Sequence, residues 1–162
     1  MIRKHIYAWL YTIACLVILH PSIAQPGSVP KTFPVFNLQL TDSTNFKSSS
    51  LKKNSPVILI YFSPTCDHCQ VYLSGILKNI ESFKNFNIIL VTYVDLAEVK
   101  KFETDYHLKA YPNIIAGTEG TNFKVRYFYN VVTFPFTALY DKNQNLAAIY
   151  RQPPSIDKLK NF

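Results

Sequence analysis

Val57-Ile58-Leu59-Ile60-Tyr61-Phe62-Ser63-Pro64-Thr65-Cys66-Asp67-His68-Cys69 is the stretch on which the reading of this chain turns. Its first six residues are β-branched, aromatic or Leu with no polar interruption, the pattern of a strand buried on both faces. Ser63-Pro64-Thr65 stops the run. From Cys66 onward apolar residues recur at helical spacing, with Leu73, Ile76, Leu77, Ile80 and Phe83 on one side and Gln70, Ser74, Lys78 and Glu81 on the other. A strand is therefore expected to hand Cys66 to the N-terminus of a helix that reaches Phe83.

The first turn of a helix has unpaired backbone N–H groups and the positive end of the macrodipole, which stabilise a thiolate placed there. Cys69 follows one turn further in, close enough to attack a disulfide formed by Cys66. Cys66-Asp67-His68-Cys69 thus holds a complete dithiol–disulfide couple, and two sulfurs storing the electrons need no organic cofactor.

The chain of 162 residues, 48% hydrophobic and 15% aromatic, suits one domain with a single core. Arg3 and Lys4 precede an apolar run over 6–19, and Ser22-Ile23-Ala24 offers a small-x-small cleavage site. Residues 1–24 are expected to be a secretory signal peptide, 25–33 a flexible leader and 34–162 the folded domain. The apolar run is short for a membrane span, and Thr12-Ile13-Ala14-Cys15 only loosely resembles a lipobox. A membrane enters only if the N-terminus is retained or lipidated. Cleavage removes Cys15 and lowers the formal charge from +7 to +5 by removing Arg3 and Lys4. The two cysteines left are both in the motif, too few and too close for the disulfide framework of a secreted domain.

Taken in order, Pro34-Val35-Phe36-Asn37-Leu38-Gln39-Leu40 alternates and can return through Phe46, predicting an edge strand or hairpin. Residues 48–50 and 52–54 read as a solvated connection. Residues 88–94 supply a second buried strand, completing a βαβ unit with a right-handed crossover. Asp95-Leu96-Ala97-Glu98 has capping-box spacing, and Leu96, Val99, Phe102 and Tyr106 carry a helix to about His107. A short strand over 111–116, a loop over 117–122 and a helical turn over 123–128 follow. Phe136-Thr137-Ala138-Leu139-Tyr140 and residues 146–150, joined by a polar turn, predict an antiparallel hairpin, and 156–162 leave room for a short last helix.

This order of elements, with Phe134-Pro135 ahead of the last hairpin, resembles a thioredoxin-fold protein, and is most similar to the exported TlpA-like branch over roughly residues 33–151. The resemblance implies an α/β architecture: a central mixed sheet flanked by helices, with an N-terminal strand or hairpin extension. It implies a cis bond at Pro135 beside the cysteines, with Phe134 offering its backbone to a bound client strand. It also brings departures. Ile60 stands where thioredoxin has a buried Asp, Tyr72 where some exported relatives have Glu, and Phe62 and Thr65 where thioredoxin has two Trp. His immediately before the second Cys is shared with the disulfide oxidases and isomerases of this fold. His68 is thereby expected to donate to the Cys66 thiolate and raise the potential, Asp67 to oppose it, for a value between about −270 and −120 mV.

The peroxiredoxin pattern would set Thr or Ser and Pro upstream of the reactive Cys; Ser63 matches, but Leu59 stands where Pro should be. A thiolate carrier of copper or zinc using Cys66, Cys69 and His107 is the alternative from another class; no metal ligands are otherwise expected. His107 is also explained as a cation at a helix C-terminus. Gly75, mid-helix, is read as geometry. Lys124-x-Arg126 beside Tyr127, Phe128 and Tyr129 raises nucleic acid, which export argues against. The expected activity is an exported, periplasmic or extracytoplasmic thiol–disulfide oxidoreductase, a monomer that exchanges disulfides with protein clients and a separate redox partner. Phe62, Tyr111 and Phe136 are expected to line its client groove. The direction of electron flow is left open.

Overall fold

The computed structural model describes residues 29–51 and 53–162; the signal peptide expected over 1–24 and the start of the leader lie outside the described residues. Strands β1 (Asn37–Gln39), β2 (Asn45–Lys47), β3 (Val57–Tyr61), β4 (Asn87–Thr92), β5 (Ile114–Thr118), β6 (Phe136–Tyr140) and β7 (Leu146–Tyr150) form one sheet in the order β2-β1-β5-β4-β3-β6-β7. β3, β4 and β5 are parallel, while β1, β6 and β7 pair antiparallel. Helices α1 (Asp67–Lys78), α2 (Leu96–Asp105), α3 (Lys124–Tyr129) and α4 (Ile156–Lys160) cover it.

β3 explains why its sequence does not alternate. Ile58 and Ile60 face one core layer with Leu73 and Ile76 of α1, Phe102 of α2 and Leu159 of α4. Val57, Leu59 and Tyr61 face a second layer with Phe36, Val125 and Tyr129, under α3. All five are buried. Each large apolar side chain so covered contributes about 1.5–3 kcal/mol, which holds β3 at the centre and fixes the position of the residues after it.

The edge hairpin of β1 and β2, the βαβ unit and the β6–β7 hairpin are as expected. Asp95 caps α2 by accepting the Glu98 backbone N–H at 3.0 Å. Three boundaries differ. α1 stops at Lys78 because Asn79 caps it, its side chain donating to the Gly75 carbonyl at 2.9 Å, and Ile80–Phe83 is a separate 3-10 turn. α2 ends at Asp105, and His107 takes a left-handed φ of 52°. Gly117 and Thr118, expected in a loop, extend β5, paired with Val91 and Thr92. There a Cβ on Gly117 would lie 2.9 Å from the Gln39 carbonyl oxygen, so only glycine lets β1 approach.

Ser48 is a further correction. Expected in a solvated connection, it is buried, its Oγ accepting the Phe36 N–H and donating to the Pro34 carbonyl, both at 2.9 Å. That pair satisfies backbone groups that the short β1–β2 ladder leaves over. The last leader residues are tied down as well: the Phe33 N–H donates to the Gln144 carbonyl at 3.2 Å, and its ring packs edge-on against Tyr140.

Candidate functional site

β3 ends at Tyr61, and the next residues turn the chain into α1. Gln70 Nε2 donates to the Pro64 carbonyl at 2.7 Å, and the Cys66 N–H donates to the Ser63 carbonyl at 3.1 Å. Cys66 is thereby the N-cap of α1, with extended backbone (φ −87°, ψ 110°), and its Sγ accepts the Cys69 backbone N–H at 3.3 Å. A sulfur replaces the usual Ser or Asp oxygen at a cap, so the helix aims one of its free donors at the Cys66 sulfur.

The two thiols are free and differently placed. Cys66 is half-buried, whereas Cys69 is 3% exposed, one turn inside. Cys69 borders a void of about 10 Å³ whose other walls are Ile60, Phe62, Tyr72, Leu73, Leu90 and Phe102. Among the described residues no carboxylate lines it. Burial, reinforced by the hydrogen bond with Cys66, pushes the Cys69 thiol up to about 12. Ile60 and Tyr72 are both buried here; the Tyr72 hydroxyl accepts from Thr137 Oγ1 at 3.3 Å, and burial pushes its phenol upward too.

Across from α1, the Phe134–Pro135 bond is cis and the Cys66 thiol lies 3.9 Å from the Phe134 carbonyl oxygen. The structure thus brings Cys66, Cys69, Phe134 and Pro135 together. Asp67 and His68 are exposed in the first turn of α1, at the mouth of a groove between α1 and α4 bordered by Val71, Tyr72 and Ile156. Among the described residues no hydrogen bond joins His68 to Cys66.

Three expected neighbours are elsewhere. Phe62 is buried against Phe102, with ring centroids 4.7 Å apart, and Phe136 against Tyr129 at 5.1 Å. Both belong to the core, not to a client surface. Tyr111 precedes β5 and so lies at the opposite end of the parallel strands from Cys66, beside Leu40 and Leu108. His107 is at that far end as well, in the link between α2 and β5, and cannot join the cysteines around a metal.

The sequence reading missed what stands under Phe134. Its half-buried ring stacks on Tyr61 (5.8 Å, 18°) and Tyr93 (6.0 Å, 25°). Below them Glu119, 5% exposed, accepts the Tyr61 hydroxyl at 2.7 Å and the N–H groups of Val125 at 2.7 Å and Arg126 at 3.3 Å. Burial first, and then the Glu119 bond, hold the Tyr61 phenol far above its ordinary value, so it stays a donor. The loop before Pro135 is held from both sides: Arg126 Nε donates to the Val131 carbonyl at 3.3 Å, and Arg151 Nη1 to the Asn130 carbonyl at 2.9 Å. A lone Glu after an apolar strand, and a Tyr inside another, were the available signals.

Comparison with known proteins agrees with this geometry. The AhpC/TSA family matches residues 29–155. The chain is 34% identical over 116 residues to a protein disulfide-isomerase like 2-2 of Arabidopsis thaliana, a match covering 70% of this chain but only 24% of that relative. Among solved structures it is similar to a secreted Mycobacterium tuberculosis disulfide oxidoreductase homologous to E. coli DsbE (TM-score 0.65, 17% identity, 78% of this chain and 92% of that one). It is also similar to the exposed lipoprotein thioredoxin Etrx1 of Streptococcus pneumoniae (TM-score 0.61, 18% identity, 79% and 96%). At these identities the structures establish a thioredoxin-like fold, and the family match establishes descent: the chain belongs to the AhpC/TSA family.

Proposed function

We propose that this chain is an exported thiol–disulfide oxidoreductase that acts as a monomer on protein clients through Cys66 and Cys69. The observation that carries the reading is the unequal pair: a half-buried Cys66 Sγ taking the Cys69 N–H at 3.3 Å, beside the Phe134 carbonyl, with the Cys69 thiol buried behind it. One sulfur meets the client. The other waits.

When the protein reduces a client, the Cys66 thiolate attacks one sulfur of the client disulfide, the client S–S bond breaks, and the second client sulfur leaves as a thiolate. Cys69 then gives up its proton to water, attacks Cys66 Sγ, and releases the first client thiolate as the Cys66–Cys69 bond forms. Two electrons pass from protein to client. Oxidation is the same sequence reversed, and the potential relative to the redox partner selects the direction. Phe134 and Pro135 hold the client strand by its backbone, His68 and Asp67 tune Cys66, and no organic cofactor or metal takes part. Export rests on the signal-like residues 1–24 and on likeness to proteins described as secreted and as an exposed lipoprotein.

Insulin reduction with a dithiol donor, together with client trapping by Cys69→Ala, tests this. Turnover that vanishes in Cys66→Ala and mixed disulfides that accumulate on Cys66 in Cys69→Ala support it. Absence of turnover combined with tight stoichiometric copper or zinc uptake by the two cysteines would replace it with the carrier reading.

A further inference from the structure

The proposed exchange leaves one cation beside the client path unexplained. Arg126, half-buried on α3, has its guanidinium carbon over three rings at once: Tyr93 at 5.5 Å, Phe123 at 5.6 Å and Phe134 at 5.8 Å. Its Nε is committed to the Val131 carbonyl. Among the described residues neither Nη nitrogen has a hydrogen-bond or ion-pair partner. Glu119 meets Arg126 through the backbone N–H, and it also accepts the Tyr61 hydroxyl and the Val125 N–H. A planar guanidinium held against aromatic faces, with both Nη nitrogens unpartnered among the described residues, is pre-organised for a carboxylate.

We propose that Arg126 is a specificity-determining residue, a seat for an acidic side chain of the client close to the client's reactive cysteine. The inference rests on the exchange reading above. Phe134 links the two ends: its carbonyl is 3.9 Å from Cys66 Sγ, and its ring lies beneath the guanidinium. An extended client, advancing about 3.3 Å per residue, bridges them within about four residues of its cysteine. Lys124, exposed on the same helix, adds positive charge, and Tyr127 and Val132, close to Arg126 and Phe134 in sequence, are exposed apolar side chains. Asp67, exposed beside Cys66 in the first turn of α1, repels an acid placed next to it. An acidic client residue is therefore favoured at Arg126 over the start of α1.

Three peptide disulfides identical but for one residue near the cysteine, Glu, Gln or Lys, separate the possibilities when their exchange rates with the reduced protein are compared. The expected order is Glu above Gln above Lys, with about a tenfold span between the extremes at low salt that shrinks as ionic strength rises. Arg126→Gln brings the Glu/Lys ratio to about one, and Arg126→Lys, which keeps charge but not the fork, recovers it in part. Equal rates with wild-type protein, or a ranking that survives Arg126→Gln, overturn the inference while leaving the oxidoreductase reading intact. Exchange with none of the three overturns both. The wild-type ranking and its salt dependence need no variant to fold.

Discussion

The Cys66 thiol and the Phe134 carbonyl oxygen meet at 3.9 Å although 68 residues separate them in sequence. β3 brings the first to the centre of the sheet, and its antiparallel partner β6 brings the second to the same end, Tyr61 opposite Phe136. The Cys66 sulfur proposed to react and the backbone proposed to hold its client are therefore positioned by one pair of hydrogen-bonded strands. Their separation is fixed by the most buried part of the molecule.

The buried Cys69 thiol makes stability depend on alkaline pH. Its folded value, about 12, lies above the ordinary 9.0 because burial disfavours the thiolate. The unfolded chain therefore loses this proton first as pH rises, and the contribution is full below about 9 and is lost as pH climbs toward 12. Urea denaturation should show stability falling by up to about 1.4 kcal/mol per pH unit above 9. The buried tyrosines join only above about 10, so a decline between 9 and 10 that disappears in Cys69→Ala is the expected signature.

His68 and Asp67 should move the potential in opposite directions. A donor near the Cys66 sulfur favours the reduced form, and a neighbouring negative charge disfavours it. His68→Ala is expected to make the couple more reducing by about 30 mV, and Asp67→Asn more oxidising by a similar amount, each corresponding to about 1.4 kcal/mol. Redox titration reads both. A shift of the same sign in the two variants contradicts the assignment.

Glu119 should be needed for stability. In Glu119→Gln an amide donor replaces one carboxylate oxygen and in either orientation faces a backbone N–H, that of Val125 or that of Arg126, so two donors meet in a buried place. The cost should be about 1–3 kcal/mol, seen as a lower urea midpoint with unchanged slope.

Gly117 and Gly75 should respond differently to alanine. At Gly117 the new methyl would meet backbone and Cβ atoms of β1 at 2.9 Å, which cannot rotate away, so Gly117→Ala should cost about 1–3 kcal/mol. At Gly75 the contact is the end of the Ile156 side chain at 3.1 Å, which can turn aside. Helix propensity returns up to about 1 kcal/mol there, leaving Gly75→Ala near neutral. Parallel thermal melts compare the two.

Much of the fold was legible because the buried parallel strands carry unbroken apolar runs and the helices carry their own caps. Cys66 is an N-cap by position, Asp95 by its box with Glu98. What escaped the sequence depends on distant partners. Ser48 looks like any polar loop residue until Pro34 and Phe36 are folded over it, and Gly117 until β1 lies alongside. Phe62 and Phe136 were expected at the client surface because they adjoin the motif in sequence, yet strand direction sends both into the core. The Glu119, Tyr61 and Arg126 assembly joins three separate segments, and no local spacing announces it.

The central claim is that Cys66 and Cys69 form one reversible two-electron couple, and a glutathione titration followed by mass spectrometry tests it most directly. The expected result is a single transition between about −270 and −120 mV in which the protein loses two hydrogens and the Cys66–Cys69 bridge is recovered in one peptide. Persistence of two free thiols across the whole range, or glutathione left on Cys66 with no bridge to Cys69, would contradict it.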